Sequence, residues 1–226
     1  WLLLVAVMIS GCGNVKENTG TDIEGESTQE IAEISEEEES VLEETEIPDN
    51  LVTFDETKIH IPQLMQDYEI WFLADSHIIV EDGSEDEQTV AYAEERKPVF
   101  NNETGFASDV IFLQFIDKVN EEKPDLVLFG GDIIDFPSDA NVAFLKKELQ
   151  RLEVPYTMTY GNHDWTFPWK YMTEAGSATY RPMIEEAMGE AVLELEDFVV
   201  VSVDNSSNQV APESLEAVNQ ATATGK

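Results

Sequence analysis

The stretch Leu126-Val127-Leu128-Phe129-Gly130-Gly131-Asp132-Ile133-Ile134-Asp135 decides the fold. Its first four residues predict a buried strand, and a glycine turn that carries two carboxylates follows at once. We call such a polar motif directly after an apolar run an island; 130–135 is the second along the chain, and there are two others. Asp75-Ser76-His77 follows an apolar run at 68–74, and Gly161-Asn162-His163-Asp164 follows a run at 155–160. Each island therefore places oxygen or imidazole donors at the exit of a predicted strand.

Helical patterns separate these strands. Apolar residues at helical spacing predict a helix after Ser108, which we expect to be its N-cap. The remaining predicted elements are helices over 108–122, 139–152, 178–188 and 212–220 and a strand pair at 191–195 and 198–203. Alternating strands and helices indicate parallel pairing, and ligands of such sheets bind at the carboxyl ends of the strands. The pattern therefore predicts an α/β fold with a site where the three islands meet.

Composition limits the function classes. The 226 residues allow one domain of ordinary size plus accessory segments, and the formal charge is −36, with 48 acidic and 12 basic residues. So acidic a surface repels phosphate backbones, which disfavours a role as a nucleic-acid scaffold. A small phosphate ester held by metal ions is not disfavoured, because the local charge of a cation outweighs distant carboxylates. Oligomeric state is not indicated.

The N-terminal residues resemble a bacterial export signal. An apolar run over 1–9 is too short to cross a bilayer, and the sequence Ile9-Ser10-Gly11-Cys12 is similar to the lipobox of bacterial lipoproteins. This resemblance implies that residues 1–12 are a signal remnant and that Cys12 is lipidated. The protein would then be anchored to the bacterial cell membrane by a lipid, on its extracytoplasmic side. The alternative is an apolar strand with a buried free cysteine.

An acidic segment follows at 13–50. It has no Lys or Arg between residues 17 and 49, and its apolar residues are too sparse to bury much surface. Like charges repel, and low hydrophobicity leaves the entropy of ordering uncompensated, so we expect a disordered tether. A cation-collecting tail is the alternative. The folded domain is expected to occupy residues 51–226.

The islands carry the donors that a metal site needs. Asp75 and His77 offer a carboxylate and an imidazole, which suit Mn²⁺, Fe²⁺ or Zn²⁺ better than Ca²⁺ or Mg²⁺. Asp132 lies on a glycine turn and is a candidate bridge between two cations, while Asn162 offers an amide oxygen. A single island fits equally a strand-ending turn whose Asp or Asn caps the next helix. Three islands in order, all at strand ends, favour a site for two divalent metal ions.

In this order the motifs Asp-x-His, Gly-Asp-x-x-Asp and Gly-Asn-His-Asp resemble those of the calcineurin-like metallophosphoesterases, over about residues 69–205. The resemblance implies a four-layer αββα sandwich of two mixed sheets with helices outside. It also implies hydrolysis of phosphomonoesters or phosphodiesters by a dinuclear metal site with a metal-bound hydroxide nucleophile. The metals would be Mn, Fe or Zn, and the partner would be a small phosphate-ester substrate.

The resemblance also implies a role for each motif residue. Asp75 and His77 would bind the first metal, Asp132 would bridge, and Asn162 would bind the second. His163 would face the phosphate and protonate the leaving oxygen, and Asp135 would hydrogen-bond and orient it. Phe136 stands where many members have arginine.

The chain also departs from the family pattern. The family completes its site with later histidines, whereas no histidine follows His163 here. We therefore expect the 226 residues to be an inactive fragment, clipped at both ends, of a longer enzyme, with the C-terminal part of the sandwich missing. A non-catalytic, lipid-anchored binding module on a degenerate phosphoesterase fold is the alternative function.

Two further segments bear on substrate access. The polar stretch 78–107 is longer than a simple connection between a strand and a helix. We expect it to be a surface loop that lies beside the site and shapes substrate access; the alternative is a surface loop without such a role. Aromatic residues after the third island either line a substrate pocket or form a packed lid. They are Trp165, Phe167, Trp169 and Tyr171.

Overall fold

The structure, a computed structural model, describes residues 47–62, 64–167 and 173–223. Cys12 and nearly all of the predicted tether lie outside these ranges. The strands are β1 (Ile70–Leu73), β2 (Leu126–Phe129), β3 (Tyr156–Met158), β4 (Val192–Glu194) and β5 (Val199–Val201). The helices are α1 (Glu87–Arg96), α2 (Ser108–Glu122), α3 (Asp139–Leu149), α4 (Glu174–Glu185) and α5 (Pro212–Ala223), with short 3₁₀ turns at Lys97–Phe100 and His163–Trp165.

The first three strands form a parallel sheet in the order β1-β2-β3, which confirms the predicted pairing. Leu73 pairs with Phe129, and Phe129 pairs with Met158, so the carboxyl ends of the strands are level. Because β2 lies between its neighbours, the chain that follows it is flanked by the chains that leave β1 and β3. This register brings the three islands to one edge of the sheet.

The fold has four layers. Val127 and Phe129 of β2 face a core that they share with α2, α3 and α4, whereas Leu126 and Leu128 face Phe198 and Val200. The antiparallel pair β4–β5 thus packs on the second face of the parallel sheet. The other face of β5 packs against α5 through valine and alanine side chains, namely Val199, Val201, Ala217, Val218 and Ala221. The order helix, sheet, sheet, helix confirms the predicted αββα class.

Element boundaries differ from the predictions in instructive ways. β2 has the predicted bounds, whereas the other four strands are each shorter than the predicted apolar run. The predicted N-cap is wrong by one residue: Ala107 occupies the cap position of α2 without a side-chain bond. Ser108 instead donates its hydroxyl to the carbonyl oxygen of His77, at 3.1 Å, and so ties α2 to the first island. No helix within the described ranges is long and apolar enough to cross a membrane.

The segment 78–107 is not a simple loop. It contains α1, whose N-cap Asp86 accepts hydrogen bonds from the amides of Gln88 and Thr89. Phe136 lies beneath this helix, with its ring centroid 5.3 Å from that of Tyr92 in an edge-to-face contact. Ala93 of α1 and Ile79 are buried in the same apolar cluster as Phe136. The helix is therefore packed against the chain that follows β2.

Candidate active site

The first two islands run side by side and are joined through their main chains. Asp75 donates its amide to the carbonyl of Gly131 and His77 donates to that of Asp132, each at 3.0 Å. Asp75, His77 and Asp132 all have positive φ angles, of 55°, 43° and 51°. Such angles are uncommon outside glycine and cluster at functional sites, where the surrounding structure holds them. The bonds between the islands supply that restraint here.

Asp164 joins the third island to the second. Its fully buried carboxylate accepts four backbone N–H bonds. Oδ2 accepts from Asp132 at 2.9 Å and from Gly161 at 2.8 Å. Oδ1 accepts from Ile133 at 2.9 Å and from Ile134 at 3.1 Å. Apart from the place of Asp164 within the third island, no signal in the sequence points to this role.

The buried carboxylate of Asp164 has an altered acidity. Burial, reinforced by the negative charge of nearby Asp132, raises the pKa of Asp164 to about 7, while the amides that donate to it oppose the shift. A cation bound at Asp132 would cancel the second of these causes. The two carboxylates therefore repel each other when both are ionised.

Two glycines allow the islands to approach each other. Gly131 has a φ of 89°, and a Cβ atom there would overlap the backbone of Gly161. A Cβ atom on Gly161 would overlap the carboxylate of Asp132. Any side chain at either position would separate the second and third islands, so the glycines are required by close packing.

Asp75, His77 and Asp132 form a candidate metal centre. One ligand atom from each lies within 4.8 Å of the other two. The carboxylate of Asp75 receives no hydrogen bond from any residue that the structure describes, although it is close enough to Asp132 for the two charges to interact. Burial, followed by the charge of Asp132, raises the pKa of Asp75. Two carboxylates and an imidazole in this arrangement fit a divalent transition-metal ion, whose charge would relieve the repulsion.

His77, Asp135 and His163 form a second group whose ligand atoms also lie within 4.8 Å of one another. This group differs because Arg96 already pairs with its carboxylate, with Nε 3.0 Å from Oδ2 and Nη2 2.8 Å from Oδ1. A cation placed there would face the fixed charge of the guanidinium. Burial by itself would raise the pKa of Asp135, but hydrogen bonds from the two imidazoles and from Arg96 outweigh it and hold the pKa well below its usual range. The second group therefore fits a hydrogen-bonded cluster better than a metal site.

His163 contacts Asp135 in a way that differs in detail from the expectation. Its Nδ1 lies 2.8 Å from the carbonyl oxygen of Asp135 and 3.3 Å from the carboxylate oxygen Oδ1. The nearer imidazole to the carboxylate is that of His77, at 2.9 Å. Because a carbonyl oxygen can only accept, Nδ1 of His163 carries a proton and Nε2 faces away from Asp135. Burial lowers the pKa of His163, but its bonds to Asp135 prevail and the net shift is upward.

Asn162 lies between two residues that contact Asp132. The amide of His163 donates to Oδ1 of Asp132 at 2.8 Å, and Gly161 packs against the same carboxylate. Asn162 itself begins the 3₁₀ turn over His163–Trp165. Its backbone is therefore adjacent to the candidate bridge, and its role as a ligand of the second metal stays a prediction.

The segment 78–107 contributes two residues that the sequence analysis missed. Phe100 stacks on the ring of His77, with centroids 4.4 Å apart and planes 10° apart. Arg96 lies over Phe100, 4.7 Å from its centroid, and pairs with Asp135. No spacing signal in the sequence links either residue to the islands. Phe136 is buried and has no charged group; within the described ranges, the arginine that pairs with Asp135 is Arg96.

The aromatic residues after the third island divide into two sets. Trp165 and Phe167 are buried, and the indole of Trp165 donates to Ser206 at 2.9 Å. Both rings belong to buried apolar clusters, and both also line a cavity together with Thr179 and Tyr180. Trp169 and Tyr171 lie outside the described residues.

Comparison with known proteins agrees with this geometry. The sequence model of the calcineurin-like phosphoesterase family matches residues 68–206, more than half of the chain and nearly the span expected from the motifs. No curated protein matches the chain significantly. The match includes β1 to β5 and all three islands. The chain therefore belongs to the calcineurin-like phosphoesterase family.

Proposed function

We propose that this protein hydrolyses phosphomonoesters or phosphodiesters with the help of two divalent metal ions. Membership of the family indicates metal-dependent phosphoester hydrolysis in general. The single observation that supports the proposal most is the cluster of Asp75, His77 and Asp132, with His163 beside it. The rings of His77 and His163 lie edge to face, 4.6 Å apart.

Each donor has a defined task in this proposal. Asp75 and His77 would hold one metal, Asp132 would be a ligand of both, and Asn162 would contribute its amide oxygen to the second. When bound, such a metal pair supplies Lewis-acid activation of water and neutralises charge on the phosphoryl oxygens. Asp75, His77 and Asp132 have positive φ angles, which are strained for residues other than glycine. Such strain is concentrated at functional sites, so it supports a functional role for these residues.

His163 acts as the general acid in the proposal. Its Nδ1 is held by Asp135, so Nε2 is the ring nitrogen available to a substrate. Proton donation to a leaving oxygen requires a protonated ring, and histidine is the side chain whose ordinary pKa lies close to neutral pH. Asp135 fixes the ring and balances its positive charge.

The second metal needs more donors than Asp132 and Asn162. His163 is the last histidine of the 226 residues, so these residues alone are expected to bind the second metal weakly and to have little activity. Assays therefore use the product of the complete coding sequence, with the 226-residue chain measured beside it. Hydrolysis of p-nitrophenyl phosphate and of bis(p-nitrophenyl) phosphate with added Mn²⁺, Fe²⁺ or Zn²⁺ distinguishes monoesterase from diesterase activity.

Replacing His163 tests the assigned chemistry. His163→Ala is expected to lower kcat for a poorly departing alcohol by about 10²–10⁴-fold, because the general acid is lost, while metal content stays at the wild-type value. The control is His60→Ala, because His60 is exposed and lies outside the site. Parallel loss of metal and activity in the His163 variant contradicts its role. Absence of hydrolysis by the wild-type protein with every metal contradicts the proposed function.

We further propose that the protein is attached to the outer side of a bacterial cytoplasmic membrane through a lipid on Cys12, with residues 13–50 as the tether. The lipobox-like sequence at 9–12 supports this location. Cys12→Ser is expected to abolish labelling by a fatty-acid analogue and to move the protein from the membrane fraction to the soluble fraction. Labelling that survives the substitution would exclude Cys12 as the lipidated residue.

A further inference from the structure

Arg96 ends α1 and binds the carboxylate of Asp135 with two hydrogen bonds. Two bonds from one guanidinium fix the plane of a carboxylate, which a single bond does not. The Asp135 side chain is 0% exposed and that of Arg96 is 26% exposed, so the contact is largely shielded from water. The orientation of this carboxylate is therefore set by a residue 39 positions earlier in the chain.

The same carboxylate lies against both imidazoles of the site. Its Oδ1 atom is 2.8 Å from Nη2 of Arg96, 2.9 Å from Nδ1 of His77 and 3.3 Å from Nδ1 of His163. Arg96 and His77 thus hydrogen-bond to this oxygen atom, while His163, whose Nδ1 donates to the carbonyl oxygen of Asp135, lies within ion-pair distance of it. Rotation of the carboxylate would break the bond to His77, whose ring contacts that of His163 edge to face.

Packing on two sides places Arg96 at this position. Phe136 follows Asp135 in the chain and packs under α1 against Tyr92. On the other side the guanidinium lies over Phe100, which stacks on His77. The helix and the site are therefore connected through buried aromatic contacts as well as through the ion pair.

We propose that Arg96 is a positioning residue for phosphate-ester hydrolysis, an inference that rests on the function proposed above. By fixing Asp135, whose carbonyl oxygen accepts from Nδ1 of His163 and whose carboxylate lies beside that nitrogen, it holds the ring so that Nε2 presents its proton to the oxygen of the departing alcohol. A water oxygen forms the new bond to phosphorus, the P–O bond to the alcohol oxygen breaks, and that oxygen takes the proton from Nε2. The proton lost by the attacking water goes to solvent. Arg96 itself does not touch the substrate in this role.

A purely structural role of Arg96 predicts a different result. If Arg96 only anchored α1, its loss would lower stability and affect all substrates alike. If it positions the general acid, its loss matters only for leaving groups that need a proton. An alkyl phosphate has such a leaving group, whereas 2,4-dinitrophenolate departs unprotonated.

The test compares Arg96→Lys and Arg96→Gln with the wild-type protein from the complete coding sequence, loaded with Mn²⁺. Both variants are expected to lower kcat for the alkyl ester by about 10–100-fold, with less than about a 3-fold change for the dinitrophenyl ester and little change in KM. If monoesters are not hydrolysed, the matching diesters are used. Lysine keeps the charge but loses the two-bond geometry, so Arg96→Lys tests orientation even if Arg96→Gln does not fold.

Arg151→Gln is the matched control. Arg151 also pairs with a buried carboxylate, that of Glu148, but it contacts none of the site residues. This variant is expected to leave the ratio of the two kcat values at the wild-type level. Equal loss on both esters in the Arg96 variants, or no loss on either, overturns the positioning role.

Ring signals provide a readout that does not depend on turnover. The chain has three histidines, so histidine ¹⁵N spectra can be assigned with single substitutions. Arg96→Gln is expected to shift or broaden the signals of His77 and His163 while leaving that of His60 unchanged. Unchanged ring signals would overturn the inference even with an inactive wild-type protein, whereas inactivity of the wild type alone overturns the proposed function.

Discussion

At the scale of single residues, the site depends on a few buried polar groups that join the islands. Asp164 accepts four amides, Asp132 accepts the amide of His163, and Asp135 lies against both imidazoles. The sequence predicted that Asp75, His77 and Asp132 lie close together, because the islands follow parallel strands. It did not predict how they are held, since Asp164 and Arg96 act through contacts between distant parts of the chain.

The role of Asp164 predicts that Asp164→Asn is severely destabilising. The new amide group would face two backbone N–H donors, because each oxygen of Asp164 now accepts two. The expected loss is about 2–5 kcal/mol in the free energy of unfolding, measured by urea denaturation at pH 8. Asp139→Asn, at an exposed position, is the control and should change stability by less than about 0.5 kcal/mol. If Asp164→Asn lowers the free energy of unfolding by as little as the control does, the four backbone amides do not depend on the Asp164 carboxylate.

The contacts of Asp135 predict a pH-dependent cost for Asp135→Asn in the metal-free protein. The lowered pKa of Asp135 gives stability that is present above its ordinary value of 3.8 and is lost as the pH falls below it. The raised pKa of His163 gives stability that is present below 6.5 and is lost as the pH rises through its folded value. The substitution should therefore cost most near pH 5–6, by about 3–5 kcal/mol.

Urea denaturation of both proteins at pH 3, 5.5 and 8 in the presence of a chelator checks this dependence. The difference in stability should shrink at pH 3 and decrease partly at pH 8. A cost that is the same at all three pH values would mean that Asp135 contributes through packing rather than through charge.

At the scale of elements, the strands and helices that carry long apolar runs could be predicted from the sequence, whereas α1 could not. The strands and α2 carry many apolar side chains in a pattern that indicates a buried strand or helix. By contrast, the buried positions of α1 are only Thr89 and Ala93, too few to give a helical period in the sequence. The helix is instead specified by the Asp86 cap and by Phe136, a residue from another part of the chain. Its position could not be predicted without the tertiary structure.

The dependence of α1 on its cap gives an element-level prediction. Asp86→Ala removes the acceptor for the first-turn amides and should cost about 1 kcal/mol. Hydrogen exchange should accelerate within α1 and remain unchanged in α2. Ser138→Ala, which removes the cap of α3, is the matched control and should accelerate exchange in α3 instead. Unchanged exchange in α1 would show that packing alone holds the helix.

At the scale of the whole molecule, the layers explain why the site lies where it does. The parallel sheet is covered by helices on one face and by β4–β5 on the other, so all four side chains of its central strand β2 are enclosed. The carboxyl edge is where the chain leaves the layers and where buried acidic groups can meet a cation. The order of layers was expected from the family resemblance, whereas composition and periodicity indicated only the α/β class.

Anomalous diffraction from crystals of the protein grown with Mn²⁺, recorded at the manganese absorption edge, tests the central claim most directly. The account predicts a strong peak in contact with the side chains of Asp75, His77 and Asp132. A peak enclosed instead by His77, Asp135 and His163, or no peak near the carboxyl edge of the parallel sheet, would contradict it.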